Sequence, residues 1–231
     1  MLTIDNLICH YGTVKVLHGV NFTAEPGSIT CVMGRNGVGK TTLMRSIMGS
    51  LKTSSGRVLM GGDDVTQLLS FKRARRGIAL VPQGRQIFPK LTVLENLRVG
   101  LEARRDRVRK VPDSVYEYFP VLKTMSHRMG GDLSGGQQQQ LAIARALVGE
   151  PKVLLLDEPT EGIQPNIIQL IGHVLRELVS QMKMTVVLVE QYVDFVREFG
   201  HAFHIMNRGQ VVYSGVPADL SSDVVSRHLS V

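Results

Sequence analysis

Residues 34–42 read G-R-N-G-V-G-K-T-T, and no other stretch constrains the chain as tightly. The string follows the apolar run SITCVM (28–33) and precedes TTLMRSIMG, whose apolar residues keep helical spacing. It fits G-x-x-x-x-G-K-[ST] through Gly34, Gly39, Lys40 and Thr41, in the strand–loop–helix setting that this motif requires. Glycines let backbone N–H groups turn inward around phosphate oxygens, and the start of the following helix adds a favourable dipole. Asn36, Gly37 and Thr42 belong to the same run and are expected to contact the nucleotide with the motif residues. Lys40 has the reach for β and γ phosphates, and the Thr41 hydroxyl is placed to ligate Mg²⁺. ATP with Mg²⁺ is therefore the first expected ligand.

Such a loop belongs at the end of a buried strand, and the chain supplies more strands of that kind. GIALVP (77–82), KVLLLD (152–157) and TVVLVE (185–190) join SITCVM as near-continuous apolar runs, the pattern of strands covered on both faces. Longer helical patterns separate them, which predicts an α/β fold of the P-loop NTPase type with a mostly parallel core sheet. LTIDNL through VNFTAEPGS alternates and holds a Pro-Gly turn, so antiparallel strands are expected at one side. HIMNRGQVVYSG predicts a hairpin turning at Asn207-Arg208-Gly209. LTVLENLRVGLEARR and DSVYEYFPVLKTM keep helical spacing, and no strand is expected from about Gln86 to Glu150. The 231 residues thus read as one domain, in which 1–85 and 151–231 form the β and core parts and 86–150 a helical insertion.

A nucleotide site also needs carboxylates. VLLLDE places Asp157 where a buried strand stops, as a metal ligand, and Glu158 next to it, as the group that orients a water or accepts its proton. TVVLVEQYVDF raises a related question, because a core-type strand there ends on the polar pair Glu190 and Gln191. Residues 133–137, LSGGQ, form a glycine turn capped by Ser134, leading into a helix with Leu141, Ala144 and Val148 on one face. Ser134 and the N–H groups of Gly135 and Gly136 make a second phosphate-shaped nest beside Gln137, and a chain with one P-loop lysine hardly needs two.

With these motifs in order, the whole chain resembles the ATP-binding-cassette (ABC) ATPases. The resemblance implies that the LSGGQ of one subunit closes over nucleotide held by another, so Ser134 to Gln137 act across a dimer interface. It implies that Tyr11 stacks on adenine, a core or turn tyrosine being the other reading. It implies that Gln83, in VPQGR, touches Mg²⁺ and water and links the site to the helical insertion, which receives a membrane permease. Gln191 departs from the family pattern, standing where a histidine usually contacts the γ-phosphate. An amide still donates to phosphate but cannot titrate, so a γ-phosphate contact is expected and a proton relay is not. Gln164 departs too, in a loop where the family often has aspartate.

GRNGVGKTT, VPQGRQIFPKLTVLENL, DEPTEGIQP and VEQ resemble the ATP-binding subunits of uptake systems for branched-chain amino acids and amides. VPQGR and EGIQP are most similar to the urea-transport subunit, so urea is the first expected solute and branched-chain amino acids the second. The implied partners are inner-membrane permease subunits, a second ATPase subunit (a homodimer in isolation being the other arrangement) and, indirectly, a periplasmic binding protein. The implied location is the cytoplasmic face of the inner membrane.

Charge tests a rival reading. The chain has 27 basic and 20 acidic residues, with the excess grouped at Lys72, Arg73, Arg75 and Arg76 and at Arg104, Arg105, Arg107, Arg109 and Lys110. Such groups suit nucleic acid, an anionic membrane surface, an acidic partner or a solvated helix face. Trp is absent and aromatics do not interleave with the basic runs, so nucleic acid is not the expected partner. Cys9 and Cys31 have neither metal-site nor disulfide-framework spacing, which favours a reducing compartment. No signal peptide or membrane span is expected.

Overall fold

The computed structural model describes residues 1–104, 106 and 108–229, so Arg105 and Arg107 of the second basic group lie outside the described residues. In chain order the strands are β1 (Leu2–Tyr11), β2 (Val14–Ala24), β3 (Ser28–Met33), β4 (Thr53–Met60) and β5 (Asp63–Asp64). They continue with β6 (Ile78–Val81), β7 (Val153–Asp157), β8 (Thr185–Val189), β9 (Ala202–Asn207) and β10 (Gln210–Gly215). The helices are α1 (Lys40–Met48), α2 (Ser70–Arg75), α3 (Val93–Gly100), α4 (Asp113–Tyr118) and α5 (Pro120–Thr124). After them come α6 (Gly135–Leu147), α7 (Pro165–Met182), α8 (Val193–Phe199) and α9 (Ser222–His228).

The strands make two sheets, one ordered β2-β1-β4-β5 and antiparallel, the other β10-β9-β3-β8-β7-β6. In the second sheet only β10 runs antiparallel. The four apolar runs singled out by sequence are β3, β6, β7 and β8, and every residue of β7 and β8 is buried. Successive residues of β8 feed opposite cores: Val186 and Leu188 pack with Ile171, Leu175 and Leu178 of α7, while Val187 and Val189 pack with Leu43 and Ile47 of α1. That two-sided burial is why these strands read as continuous rather than alternating. The register aligns Val32, Val189 and Asp157 across β3, β8 and β7, so the loops leaving these strands open on one edge of the sheet.

The structure differs from expectation at several places. Strands β4 and β5 were not expected: TSSGRVLM is mostly polar, and the β1–β4 register shifts between Asp5 and Ile8, which breaks alternation. Gly56, at φ 87°, sits in that irregularity, where a Cβ would lie 2.2 Å from the Asn6 carbonyl oxygen. The late hairpin is one residue tighter than expected. Asn207 pairs with Gln210 in the ladder, and Arg208 (φ 45°) and Gly209 (φ 75°) form a two-residue turn with both φ positive. This turn braces the phosphate loop, since the Gly209 N–H donates to the Val38 carbonyl at 2.9 Å. DSVYEYFPVLKTM is two short helices, because Pro120 forces Phe119 out of helical geometry at φ −134°.

Between β6 and β7 the described residues are helical apart from loops and one isolated bridge, Thr92 to Met129. Helix α3 begins on a capping box of Thr92 and Glu95. Leu141, Ala144 and Val148, expected on one face, are all fully buried.

Lys72, Arg75, Arg76, Arg109 and Lys110 are exposed, whereas Arg73 and Arg104 are tied into the fold. Arg73 is 2% exposed. Its guanidinium donates to the carbonyls of Ser46, Ile47, Thr66 and Leu68, closing the end of α1 onto the segment before α2. Arg104 pairs with Asp106 and Glu150, and Arg76 with Asp63. No helix among the described residues is long and apolar enough to cross a membrane.

Candidate functional site

The loops at the carboxyl edge of β3, β7 and β8 surround a cavity of about 570 Å³. Asn36, Gly37, Gly39, Lys40, Thr41 and Thr42 line it from the phosphate loop, and Gln83, Glu158 and Gln191 from the loops after β6, β7 and β8. Gly39, at φ 107°, turns the chain into α1, so the amides at the helix start face the cavity. Lys40 is buried, and its ammonium donates to the carbonyls of Gly34 and Arg35 at 2.7 and 2.9 Å. It also lies 3.6 Å from Glu158 Oε1. Burial pulls its pKa below the ordinary amine range, against the opposing pull of Glu158.

Glu158 is the convergence point. Gln83 Nε2 donates to its Oε2 at 2.8 Å, and Gln191 Nε2 donates to its Oε1. Gln83 also reaches Glu161 at 3.1 Å, and Gln191 reaches Asn36 Oδ1 at 2.8 Å. Glu158 holds a left-handed backbone at φ 51°, its N–H donating to the Val189 carbonyl at 3.0 Å. A non-glycine residue in that region stores strain of about 1–3 kcal/mol, which concentrates at functional sites. The sheet supplies the restraint, because the residue follows directly on the last pair of the β7–β8 ladder.

Asp157 lies beneath. It is 3% exposed, and its Oδ1 has no hydrogen-bond partner. Burial raises its pKa and Glu158 adds to the rise, while Thr41 and Lys40 pull it back. A buried carboxylate oxygen left unpaired beside a threonine hydroxyl fits one hard cation that takes its other ligands from phosphates and water. The described residues hold no cluster of three acidic, His or Cys side chains that would bind a metal unaided. The donor set therefore suits Mg²⁺ carried with a nucleotide.

Other expected residues stand apart. Ser134, Gly135, Gly136 and Gln137 do not line the cavity. They start α6 with a capping box, the Ser134 hydroxyl accepting from the Gln137 N–H and the Gln137 side chain accepting from the Ser134 N–H. Neither glycine has positive φ, and both lie in the first turn of α6, whose leading N–H groups have no acceptor within the helix. These glycines serve close approach: a Cβ on Gly135 would meet the Arg85 guanidinium at 3.0 Å, and one on Gly136 would meet Ile167 at 3.1 Å. Tyr11 ends β1 at 45% exposure and is not among the cavity walls. Gln164 caps α7 without a side-chain bond.

Sequence reasoning passed over Thr160, Glu161, Tyr192 and the side chain of Glu190, all of which line the cavity. Only the polar end of TVVLVE signalled Glu190, and nothing local signalled that Thr160 would meet it.

Comparison with known proteins extends this picture. Residues 17–161 match the family described as ABC transporter, a span running from β2 through the phosphate loop, Gln83 and LSGGQ to Glu161. The chain belongs to the ABC transporter family. As a member of that family it is an ATPase, with the cassette fold. It is 38% identical over 221 residues to the high-affinity branched-chain amino acid transport ATP-binding protein BraG of Pseudomonas aeruginosa, covering 95% of this chain and 94% of that one. It is 36% identical over 221 residues, with the same coverage, to the probable branched-chain amino acid transport ATP-binding protein LivF of Archaeoglobus fulgidus. Among solved structures, a dimeric ATP-binding cassette in a post-hydrolysis state with ADP and Pi superposes with a TM-score of 0.85 at 26% identity. That match covers 94% of this ABC chain and 99% of the other. Tyr11 and Gln191 lie outside the matched family segment.

Proposed function

We propose that this chain is the ATP-hydrolysing subunit of an importer for branched-chain amino acids, working through a membrane permease. The observation that carries the hydrolytic part is the convergence of Lys40, Gln83 and Gln191 on Glu158. The solute rests on the names of BraG and LivF, each matched over 95% of the chain. These favour branched-chain amino acids over the urea first expected from VPQGR and EGIQP.

Backbone amides of the phosphate loop cradle the phosphates, and the ammonium of Lys40 meets the β and γ groups. Glu158 orients a water for in-line attack on the γ-phosphorus and takes its proton as the bond to the β-phosphate oxygen breaks and ADP leaves. Gln191 turns its amide from Glu158 to the γ-phosphate. Thr41, Asp157 and Gln83 would hold Mg²⁺, which supplies positive charge to the phosphate oxygens. Because Ser134 to Gln137 do not line the cavity of their own chain, we assign them to the nucleotide of a second ATPase subunit. The cleft lined by Phe88, Val99, Ala142 and Arg145 beside β6 supports permease docking against the helical section.

Gln191→Ala is expected to slow ATP turnover by about 10- to 150-fold, since a hydrogen bond to a charged acceptor contributes about 1.5–3 kcal/mol. Steady-state phosphate release checks this, and wild-type turnover would remove Gln191 from the mechanism. The solute is tested in source cells whose only copy carries Lys40→Ala. With the variant protein present, labelled leucine uptake should stop while labelled urea uptake continues. Loss of urea uptake alone would reinstate urea, and persistence of both would overturn the uptake reading.

A further inference from the structure

Three glutamates line the cavity, and one of them has both carboxylate oxygens engaged by donors within the chain. Glu190 is 3% exposed. Its Oε1 accepts a short hydrogen bond from the Thr160 hydroxyl, and its Oε2 accepts from the backbone N–H groups of Gln191 and Tyr192 at 2.8 and 3.0 Å. Its own N–H donates to the Val32 carbonyl at 3.1 Å, fixing its backbone to β3. Burial raises its pKa, while these donors pull it down.

The partners lie in two different loops. Thr160 stands two residues after Glu158, in the loop leaving β7, and Gln191 stands second in the loop leaving β8. One buried carboxylate therefore joins the loop that carries Glu158 to the loop that carries Gln191. In that second loop Gln191 and Tyr192 are both exposed, and the Glu190 carboxylate holds their backbone N–H groups while the Gln191 side chain reaches Glu158 and Asn36. We propose that Glu190 is a positioning residue, a buried clasp that sets the Gln191 amide against Glu158 and the γ-phosphate. This rests on the hydrolytic roles given above to Glu158 and Gln191, and it answers why a core strand ends on Glu-Gln. The glutamate is the clasp and the glutamine is the contact.

A carboxylate suits the task because all three donors need acceptors and no acceptor faces it except the reversible Thr160 hydroxyl. Glu190→Gln keeps the clasp: the amide oxygen takes the two N–H groups and the NH₂ donates to a rotated Thr160 hydroxyl. Glu190→Ala removes it and leaves three donors unsatisfied. Thr160→Val removes one arm at nearly constant shape.

The decisive experiment is a double-mutant cycle on ATP turnover with Gln191→Ala, reading kcat and KM separately. Glu190→Ala should lower kcat by about 10- to 150-fold, bounded by the loss of Gln191 itself, with KM for ATP within about 3-fold. Glu190→Gln should restore most of the rate. In the Gln191→Ala background, Glu190→Ala should lower kcat by less than about 3-fold further, because the group it positions is gone. Should Glu190→Ala fail to fold, Thr160→Val carries the same cycle, with a smaller drop that also vanishes without Gln191. Multiplicative losses in the cycle, or an unchanged kcat in the Glu190 and Thr160 variants, would overturn the clasp. Wild-type turnover in Gln191→Ala alone would instead overturn the role of Gln191, a separate and recognisable failure.

Discussion

Glu158→Gln is expected to lower ATP hydrolysis by about 10²- to 10⁴-fold, the range that a positioned acid–base group contributes. The substitution conserves shape, so the contacts around it test the role rather than the fold. Gln83 and Gln191 each donate to a carboxylate oxygen in the native chain, and one of these bonds must rearrange when an NH₂ replaces an oxygen. Both lie at the cavity edge, where water satisfies whatever is lost, so thermal stability should change little. ATP should still bind, because the phosphate loop and Lys40 are untouched. Light scattering with ATP then reads assembly: a dimer shows that the chain closes on itself, and a persistent monomer shows that it requires a different ATPase subunit. Phosphate release near the wild-type rate would overturn Glu158 as the hydrolytic acceptor and with it the central claim about this site.

Arg73→Met should unfold at a denaturant midpoint corresponding to a loss of about 3–5 kcal/mol, with the slope m unchanged. The guanidinium donates to four carbonyls, two of them in the last turn of α1, and three of the four bonds are buried. Each orphaned buried acceptor costs about 1–3 kcal/mol, and methionine fills the volume without replacing a donor. Gly49 packs directly against the guanidinium, where a Cβ would lie 2.7 Å from Nε, so the cage leaves little room for water to enter. Arg73→Lys should recover only part of the loss, since a point charge on a flexible stem cannot match the planar fork. A loss under about 1 kcal/mol for Arg73→Met would show that the cage is dispensable. The cage bears on function because the same helix, α1, begins at the phosphate loop.

Arg73 shows where reading the sequence reaches its limit. In FKRARR it looks like its basic neighbours, and nothing in the local pattern separates the one buried arginine from the exposed ones. Two of its four partners lie 27 and 26 residues upstream, a proximity that exists only once α1 and α2 have packed. Strand β4 was hidden for a related reason. A half-exposed strand with a bulge has neither continuous apolar character nor clean alternation, and its identity comes from pairing with β1.

By itself the sequence determined those features whose physics is local. A glycine-rich loop between a buried strand and a helix cradles phosphate wherever it occurs, so the positions of Gly34 to Thr42 were readable from spacing alone. The same holds for the apolar strands β3, β7 and β8, and for Asp157 and Glu158 at a strand end. What only the tertiary structure decided is which polar groups meet. Parallel register brings Val32, Asp157 and Val189 abreast, and from that alignment follow the Gln191–Glu158 contact and the Glu190–Thr160 clasp. Those contacts join residues 33 and 30 positions apart. A buried polar side chain must find its partners across the fold, and the choice among candidates is made by packing geometry that no short stretch of sequence carries.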